Sequence, residues 1–151
     1  MRLLVLLAAL ALPLHAQEVL TPSSLHDHLV TATNTRNADA LITLLTSDAT
    51  WTDTEGHTTS GQSDLHKHFV DVFARYAPSL TLHLSTNMID GEPHHPTAIH
   101  EEGTFAETFR DLRNNATQHQ CGTYRFTYMK NPAGGWLISN AAWASAPCPK
   151  P

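Results

Sequence analysis

The stretch Ser47–Asp53, which reads SDATWTD, decides the fold of this chain because it lies between a helical pattern and a loop that leads into another helix. Side chains alternate along a strand, so Ala49, Trp51 and Asp53 share one face. The face that carries the large apolar Trp51 is the inner one. Asp53 then also points into the interior, where a carboxylate is costly unless it is hydrogen-bonded or functional. The stretch therefore predicts a candidate acid–base group in a candidate pocket.

The first sixteen residues are typical of an export signal. Met1 and Arg2 supply a short positive start, an apolar run covers residues 3–12, and Ala16 is a small residue before a cut at Gln17. The apolar run is too short for a permanent membrane anchor. We therefore expect removal of residues 1–16 and a single periplasmic or secreted domain formed by residues 17–151. The alternative for the segment is a buried N-terminal helix.

Composition and charge exclude one class of partner. The chain has a net charge of −5 and only nine Lys or Arg in total, with no basic cluster. Nucleic acid binding therefore lacks its electrostatic footprint. Eleven His make the net charge sensitive to pH between about 5 and 8.

The chain has two cysteines, Cys121 and Cys148. Export to an oxidising compartment favours a disulfide between them. A hairpin at residues 131–135 would also bring the tail that carries Cys148 back toward Cys121. The alternative is a small core residue at Cys121 and a free thiol in the tail.

The first half of the domain shows helical periodicity. A first helix begins at Thr21, and Asn37 or Asp39 caps a second helix that runs through Leu45. Residues 54–61 form a loop, and a third helix follows with Ser63 as its N-cap.

The second half is strand-like. The third helix ends at residues 77–78, and alternation then predicts strands near 80–84, 97–109, 118–129 and 136–144, with a turn at Asp90–Gly91. Helices followed by a meander of strands predict an α+β domain.

This order of elements resembles the nuclear transport factor 2-like superfamily, and within it the SnoaL-like proteins and the ketosteroid isomerases. The motifs that carry the resemblance lie at residues 37–40, 44–53, 60–61 and 134–139, with Trp143 beyond them. The resemblance implies a cone-shaped (cystatin-like) fold in which three N-terminal helices pack on a curved, mostly antiparallel sheet. It also implies a ligand pocket inside the cone and a homodimer formed through the sheet.

The resemblance assigns Asp53 the position of the general base of the ketosteroid isomerases. That enzyme also uses a Tyr on the first helix and a protonated Asp on a late strand as oxyanion donors. The corresponding regions here, residues 28–30 and 124–126, read HLV and YRF and supply neither donor at its place. We expect burial to raise the pKa of Asp53 unless Thr, Tyr or His donors compensate.

His100 and His119 are further candidates for acid–base catalysis together with Asp53, as in the related dehydratases. The alternative for each is a solvent-facing strand position. The other His residues show no spacing of a closed zinc site: His94 and His95 lie in a loop, and His66 and His68 are two apart on a helix. We therefore expect neither a metal nor a cofactor.

Three aromatic residues, Trp51, Tyr124 and Trp143, are the candidate ligand-binding residues, with packing as the alternative. Arg125 is expected to pair with one of three carboxylates on a neighbouring strand, namely Glu101, Glu102 or Glu107.

Two functions remain open from the sequence. In the first, an exported pocket protein binds a small apolar or amphiphilic molecule. In the second, an acid–base enzyme of isomerase, cyclase or dehydratase type uses Asp53 to abstract a proton beside a carbonyl. A dimerisation module is compatible with either function.

Overall fold

A computed structural model of the protein describes residues 20–92 and 95–149. The predicted export segment and its cleavage site, residues 1–17, lie outside these ranges, as does His94.

Helix α1 (Pro22–Asn34) begins as the sequence predicts. Thr21 is its N-cap and forms a capping box with Ser24, in which each side chain accepts a hydrogen bond from the other residue's backbone N–H, at 3.2 and 2.9 Å. Leu25, Leu29 and Ala32 form the buried stripe of this helix.

Helix α2 (Ala38–Thr43) is shorter than predicted. Asn37, one of the two candidate caps, accepts a hydrogen bond from the backbone N–H of Ala40 at 2.9 Å. The prediction that this helix runs through Leu45 is wrong, because Leu45 begins strand β1 (Leu45–Thr52). Leu45 pairs in parallel with Ile138, and this distant partner overrides the local helical pattern.

Helix α3 (Gln62–Arg75) starts differently from the prediction. Its N-cap is Gly61 rather than Ser63, and no side chain caps the helix. Gly61 adopts φ 82°, a left-handed conformation that glycine reaches without strain, while its N–H bonds the carbonyl of Ala49 at 2.8 Å. The helix ends at Arg75, and Tyr76 already belongs to the next strand.

The sheet contains six strands among the described residues. Its remaining members are β2 (Thr58–Ser60), β3 (Tyr76–Glu92), β4 (His95–Asp111), β5 (Thr117–Lys130) and β6 (Trp136–Ala146), and the spatial order is β2-β1-β6-β5-β4-β3. Every adjacent pair is antiparallel except β1 and β6. The fold is thus the predicted α+β arrangement of helices on a curved, unclosed sheet.

Two sequence predictions about loops are wrong. Residues 58–60 were expected in a loop but form β2 on the edge of β1, and Asp90–Gly91 does not turn because β3 continues through both residues to Glu92. A short polar strand has no periodicity of its own, and its pairing with β1 supplies the hydrogen bonds that define it.

The core lies between the helices and one side of the sheet, which we call the inner face. Leu29 and Leu41 from the helices are buried there with Tyr124, Phe126 and Ile138 from the sheet. The opposite side of the sheet is called the outer face.

The disulfide prediction is confirmed. Cys121 and Cys148 are bonded, with their Cα atoms 5.0 Å apart. Cys121 pairs with Ala146 across the β5–β6 hairpin, so the chain needs only two further residues to bring Cys148 into reach.

Candidate functional site

A cavity of about 350 Å³ lies between the helices and the inner face of the sheet. All three helices contribute to its wall, α1 through Thr33, α2 through Leu41 and α3 through Phe69. Most of the wall is apolar, and its aromatic members are Trp51, Phe69, Phe73, Tyr76, Phe105, Phe109 and Trp143. Its volume and composition are those of a small-molecule site.

Two of the three predicted ligand-binding residues lie side by side on this wall. The rings of Trp51 and Trp143 are 5.4 Å apart, and Trp51 meets Phe69 edge-on at 5.0 Å. Trp143 also meets Phe105 edge-on at 5.1 Å. Tyr124 is instead buried behind Trp143 and does not belong to the described cavity lining.

Glu107 is a carboxyl group of the cavity wall that the sequence did not identify as a site residue. It projects from the inner face of β4 between Leu80 on β3 and Gln120 on β5. Its carboxyl has no hydrogen-bond or ion-pair partner in the part of the chain that the structure describes. Burial raises the pKa of Glu107 to about 7. The carboxyl is therefore poised to change charge near neutral pH.

A signal for Glu107 does exist in the sequence. Phe105 and Phe109 flank it at a spacing of two, which places all three on one strand face. A carboxylate between two phenylalanines on an inner face marks a buried polar group. From the sequence, Glu107 was one of three candidate partners for Arg125. The Nε atom of Arg125 instead donates a hydrogen bond to the carboxylate of Glu102 at 2.6 Å.

Asp53 lies at the cavity, just beyond the end of β1, and its carboxylate holds the following loop. It accepts hydrogen bonds from the backbone N–H groups of Glu55 and His57, both at 2.9 Å, and the Nδ1 atom of His57 is 3.3 Å away. Burial acts to raise the pKa of Asp53, but these donors outweigh it and leave the pKa below its ordinary value. Asp53 is therefore a stable anion whose acceptor sites are largely occupied.

His100 and His119 lie on the outer face, away from Asp53. Alternation along β4 and β5 places them opposite to the cavity residues Glu107 and Gln120. His100 contacts Thr127 and Asp90, with N···O distances of 3.1 and 2.8 Å.

His119 lies 3.0 Å from the hydroxyl of Thr108. The predicted grouping of Asp53, His100 and His119 is therefore not formed, because the side chains of both His point to the outer face of the sheet.

A second polar cluster is buried under α1. The carboxylate of Glu101 accepts hydrogen bonds from the hydroxyls of Tyr124 at 2.8 Å and Tyr128 at 3.0 Å, and it lies 3.1 Å from Nδ1 of His26. Burial acts to raise the pKa of Glu101, but these three donors outweigh it and lower the pKa. The hydrogen bond to Glu101 raises the pKa of His26 against the effect of burial. This cluster joins α1 to the sheet.

The residues that the structure describes provide neither a metal-binding cluster nor a membrane-spanning helix. They contain no group of three or more His, Cys, Asp or Glu side chains arranged to hold a metal ion. No helix among residues 20–92 and 95–149 combines the length and apolar character of a membrane span. His66 instead contacts Asp39 at 2.8 Å, while His68 lines the cavity.

Helices packed on the inner face of a curved six-stranded sheet, with a cavity between them, define the nuclear transport factor 2-like fold. Solved structures with this fold superimpose on most of the chain. A ketosteroid isomerase-like protein from Erwinia carotovora atroseptica matches with a TM-score of 0.73 and 13% identity, over 83% of this chain and 94% of that one. A nuclear transport factor 2-like superfamily protein from Salmonella enterica matches with a TM-score of 0.68 and 15% identity, over 85% and 95%.

A candidate scytalone dehydratase from Novosphingobium aromaticivorans matches with a TM-score of 0.68 and 14% identity, over 83% of this chain and 81% of that one. At these identities the likeness shows the fold, which isomerase-like and dehydratase-like proteins share. No protein-family model and no curated protein sequence matches the chain.

Proposed function

We propose that this protein is exported to the periplasm or medium and binds a small apolar or amphiphilic molecule in the cavity between helices and sheet. The observation that carries the proposal is the cavity wall, which combines aromatic rings with the carboxyl group of Glu107, a group that has no partner among the described residues. An apolar molecule gains about 25 cal/mol for each Å² of surface that it buries in such a site. Glu107 and Gln120 would orient the polar end of the molecule.

The test is native mass spectrometry of the protein purified from its own host, with two variants of α3. Val72 lines the cavity, whereas Val70 on the same helix is 44% exposed and is not among the lining residues. Val72→Trp fills the cavity, and Val70→Trp makes the same change on the surface. We expect a co-purifying small molecule in the wild type and in Val70→Trp, and its loss from Val72→Trp. Equal spectra of unliganded protein for all three would contradict the proposal.

A second candidate function is acid–base catalysis of isomerase, cyclase or dehydratase type. Asp53 has the expected position along the chain, but its carboxylate is engaged by the loop. Glu107 favours this function more strongly, because its pKa of about 7 suits proton transfer at neutral pH. If the wild-type protein exchanges a carbon-bound hydrogen of a bound molecule for deuterium in D₂O, this exchange should stop in Glu107→Gln. Exchange lost in Asp53→Asn and retained in Glu107→Gln would assign the base to Asp53.

We also propose a homodimer through the outer face of the sheet. Met88 and Met129 lie on this face, with exposed fractions of 53% and 40%. Exposed apolar side chains on a sheet favour burial against a partner. Thr104 is exposed on the same face, in β4. Thr104→Arg should convert a dimer to a monomer in sedimentation velocity, and a monomeric wild type would contradict this arrangement.

A further inference from the structure

We propose that the cavity selects an amphiphilic organic cation, an apolar molecule that carries a protonated or quaternary nitrogen. This inference rests on the proposed binding function and names the class of ligand.

The charge of the cavity wall has one sign. Asp53, Glu55 and Glu107 line the cavity, and none of the described lining residues is Lys or Arg. Two of these carboxylates share a partner, since the ring of His57 lies 3.3 Å from Asp53 and 3.6 Å from Glu55. Glu107 has no such partner among the described residues. When Glu107 is ionised, its negative charge is therefore unpaired among these residues, in a cavity where water screens it less than at the surface.

The aromatic rings of the wall also favour a cation. Trp51, Trp143 and Phe105 form a continuous cluster on the wall. The faces of such rings carry negative electrostatic potential and attract ammonium groups, with Trp the strongest of them. This aromatic surface therefore serves apolar contact and cation binding together.

The state of Glu107 then depends on the ligand. An ammonium group can donate a charge-assisted hydrogen bond to the ionised carboxylate, which favours ionisation. A neutral molecule offers a weaker bond, and an anion repels the carboxylate. Affinity for a cation should accordingly rise with pH as Glu107 ionises, near its pKa of about 7.

Other titratable groups face the cavity together with Glu107. His68 on α3 and Tyr76 on β3 line the cavity together with the two carboxylates of the loop after β1. Arg75 packs on the ring of Tyr76 and lies 3.6 Å from Asp111, so a carboxylate outside the cavity already balances it. A variant of Glu107 alone separates the contribution of this carboxyl from those of the other groups.

The experiment is calorimetric titration of the refolded, ligand-free full domain with three probes of one shape: 4-phenylbutylamine, 4-phenylbutanol and 4-phenylbutyrate. At pH 8 we expect the amine to bind about tenfold more tightly than the alcohol, and the acid to bind most weakly. Glu107→Gln should reduce the preference of amine over alcohol to about twofold or less while the alcohol keeps its affinity.

Glu102→Gln is the matched control, because it removes the same charge from the outer face of the same strand, where Glu102 bonds Arg125. This variant should retain the full preference for the amine. Equal binding of amine and alcohol by the wild type, or an unchanged preference in Glu107→Gln, would overturn the cation inference and leave the pocket function standing. Failure of all three probes to bind at millimolar concentration would overturn both proposals.

Discussion

Two carboxyl groups that line the same cavity differ in pKa because their immediate surroundings differ. Asp53 and Glu107 both line the cavity, yet the pKa of Asp53 is lowered and that of Glu107 is raised. Backbone donors surround the first, whereas burial without donors governs the second. Asp53 is therefore expected to act mainly in structure, and Glu107 in ligand recognition.

The raised pKa of Glu107 predicts a pH dependence of stability. The folded chain holds this proton between about pH 4.5 and 7, a range in which the unfolded chain has lost it, so stability falls as pH rises through that range. Glu107→Gln should therefore be more stable than the wild type at pH 8, by up to about 3 kcal/mol, and no more stable at pH 4. Urea denaturation of the ligand-free protein at both pH values measures the difference. An identical gain in Glu102→Gln would show that general charge repulsion is the cause.

Asp53 should reveal its structural role through two substitutions. Asp53→Ala removes the acceptor for the N–H groups of Glu55 and His57, which we expect to cost about 1–2 kcal/mol of unfolding free energy. Asp53→Asn keeps one acceptor oxygen for these donors, so its cost should be smaller, about 0.5–1 kcal/mol. Thermal unfolding at pH 7 provides the comparison. Equal stability of both variants and the wild type would mean that the carboxylate does not hold the loop.

Among the helices and strands, local sequence predicts those boundaries that depend only on neighbouring residues. Thr21 caps α1 as predicted, and Asn37 caps α2, because capping needs only residues within one turn. Leu45 could not be placed from local sequence, since its strand partner Ile138 lies far along the chain.

The candidate site was predictable to a similar extent. Alternation placed Trp51 on the inner side of β1, and Trp143 also lies on the cavity wall. The same rule could not say which face of the later strands points inward, so it could not choose between the catalytic role of His100 and His119 and the solvent-facing alternative, which is the one that the structure shows. Glu101 was equally out of reach, because its partner His26 is 75 residues away in sequence and no local pattern joins them.

The contribution of the disulfide to stability can be measured directly. It closes a loop over a sequence separation of 27 residues and joins the end of β6 to β5. The chain-entropy model assigns such a loop about 3 kcal/mol of stabilisation. The double variant Cys121→Ser/Cys148→Ser should lose about that amount in guanidinium denaturation under oxidising conditions. Added reductant should lower the stability of the wild type to the level of this variant, and an insensitive wild type would show that the bond contributes little.

At the scale of the whole molecule, the fold class followed from the order of elements, and the structure confirms it. Export remains a prediction, since residues 1–16 lie outside the described ranges. N-terminal sequencing of protein recovered from the envelope or medium of the host should find a chain that begins at or near Gln17. Full-length protein that begins at Met1 in the cytoplasm would contradict it.

The parallel pairing of β1 with β6 has a consequence for the order in which the chain folds. Strand β1, second from one edge of the sheet, takes its place only when β6, the last described strand, is available to pair with it. Such pairing between distant segments raises the contact order of the domain, and a higher contact order is associated with slower refolding. Until that step, α1 and α2 can form locally but have no completed sheet to cover. Strands β1 and β6 therefore join in a late, cooperative event, and the cavity comes into existence only then.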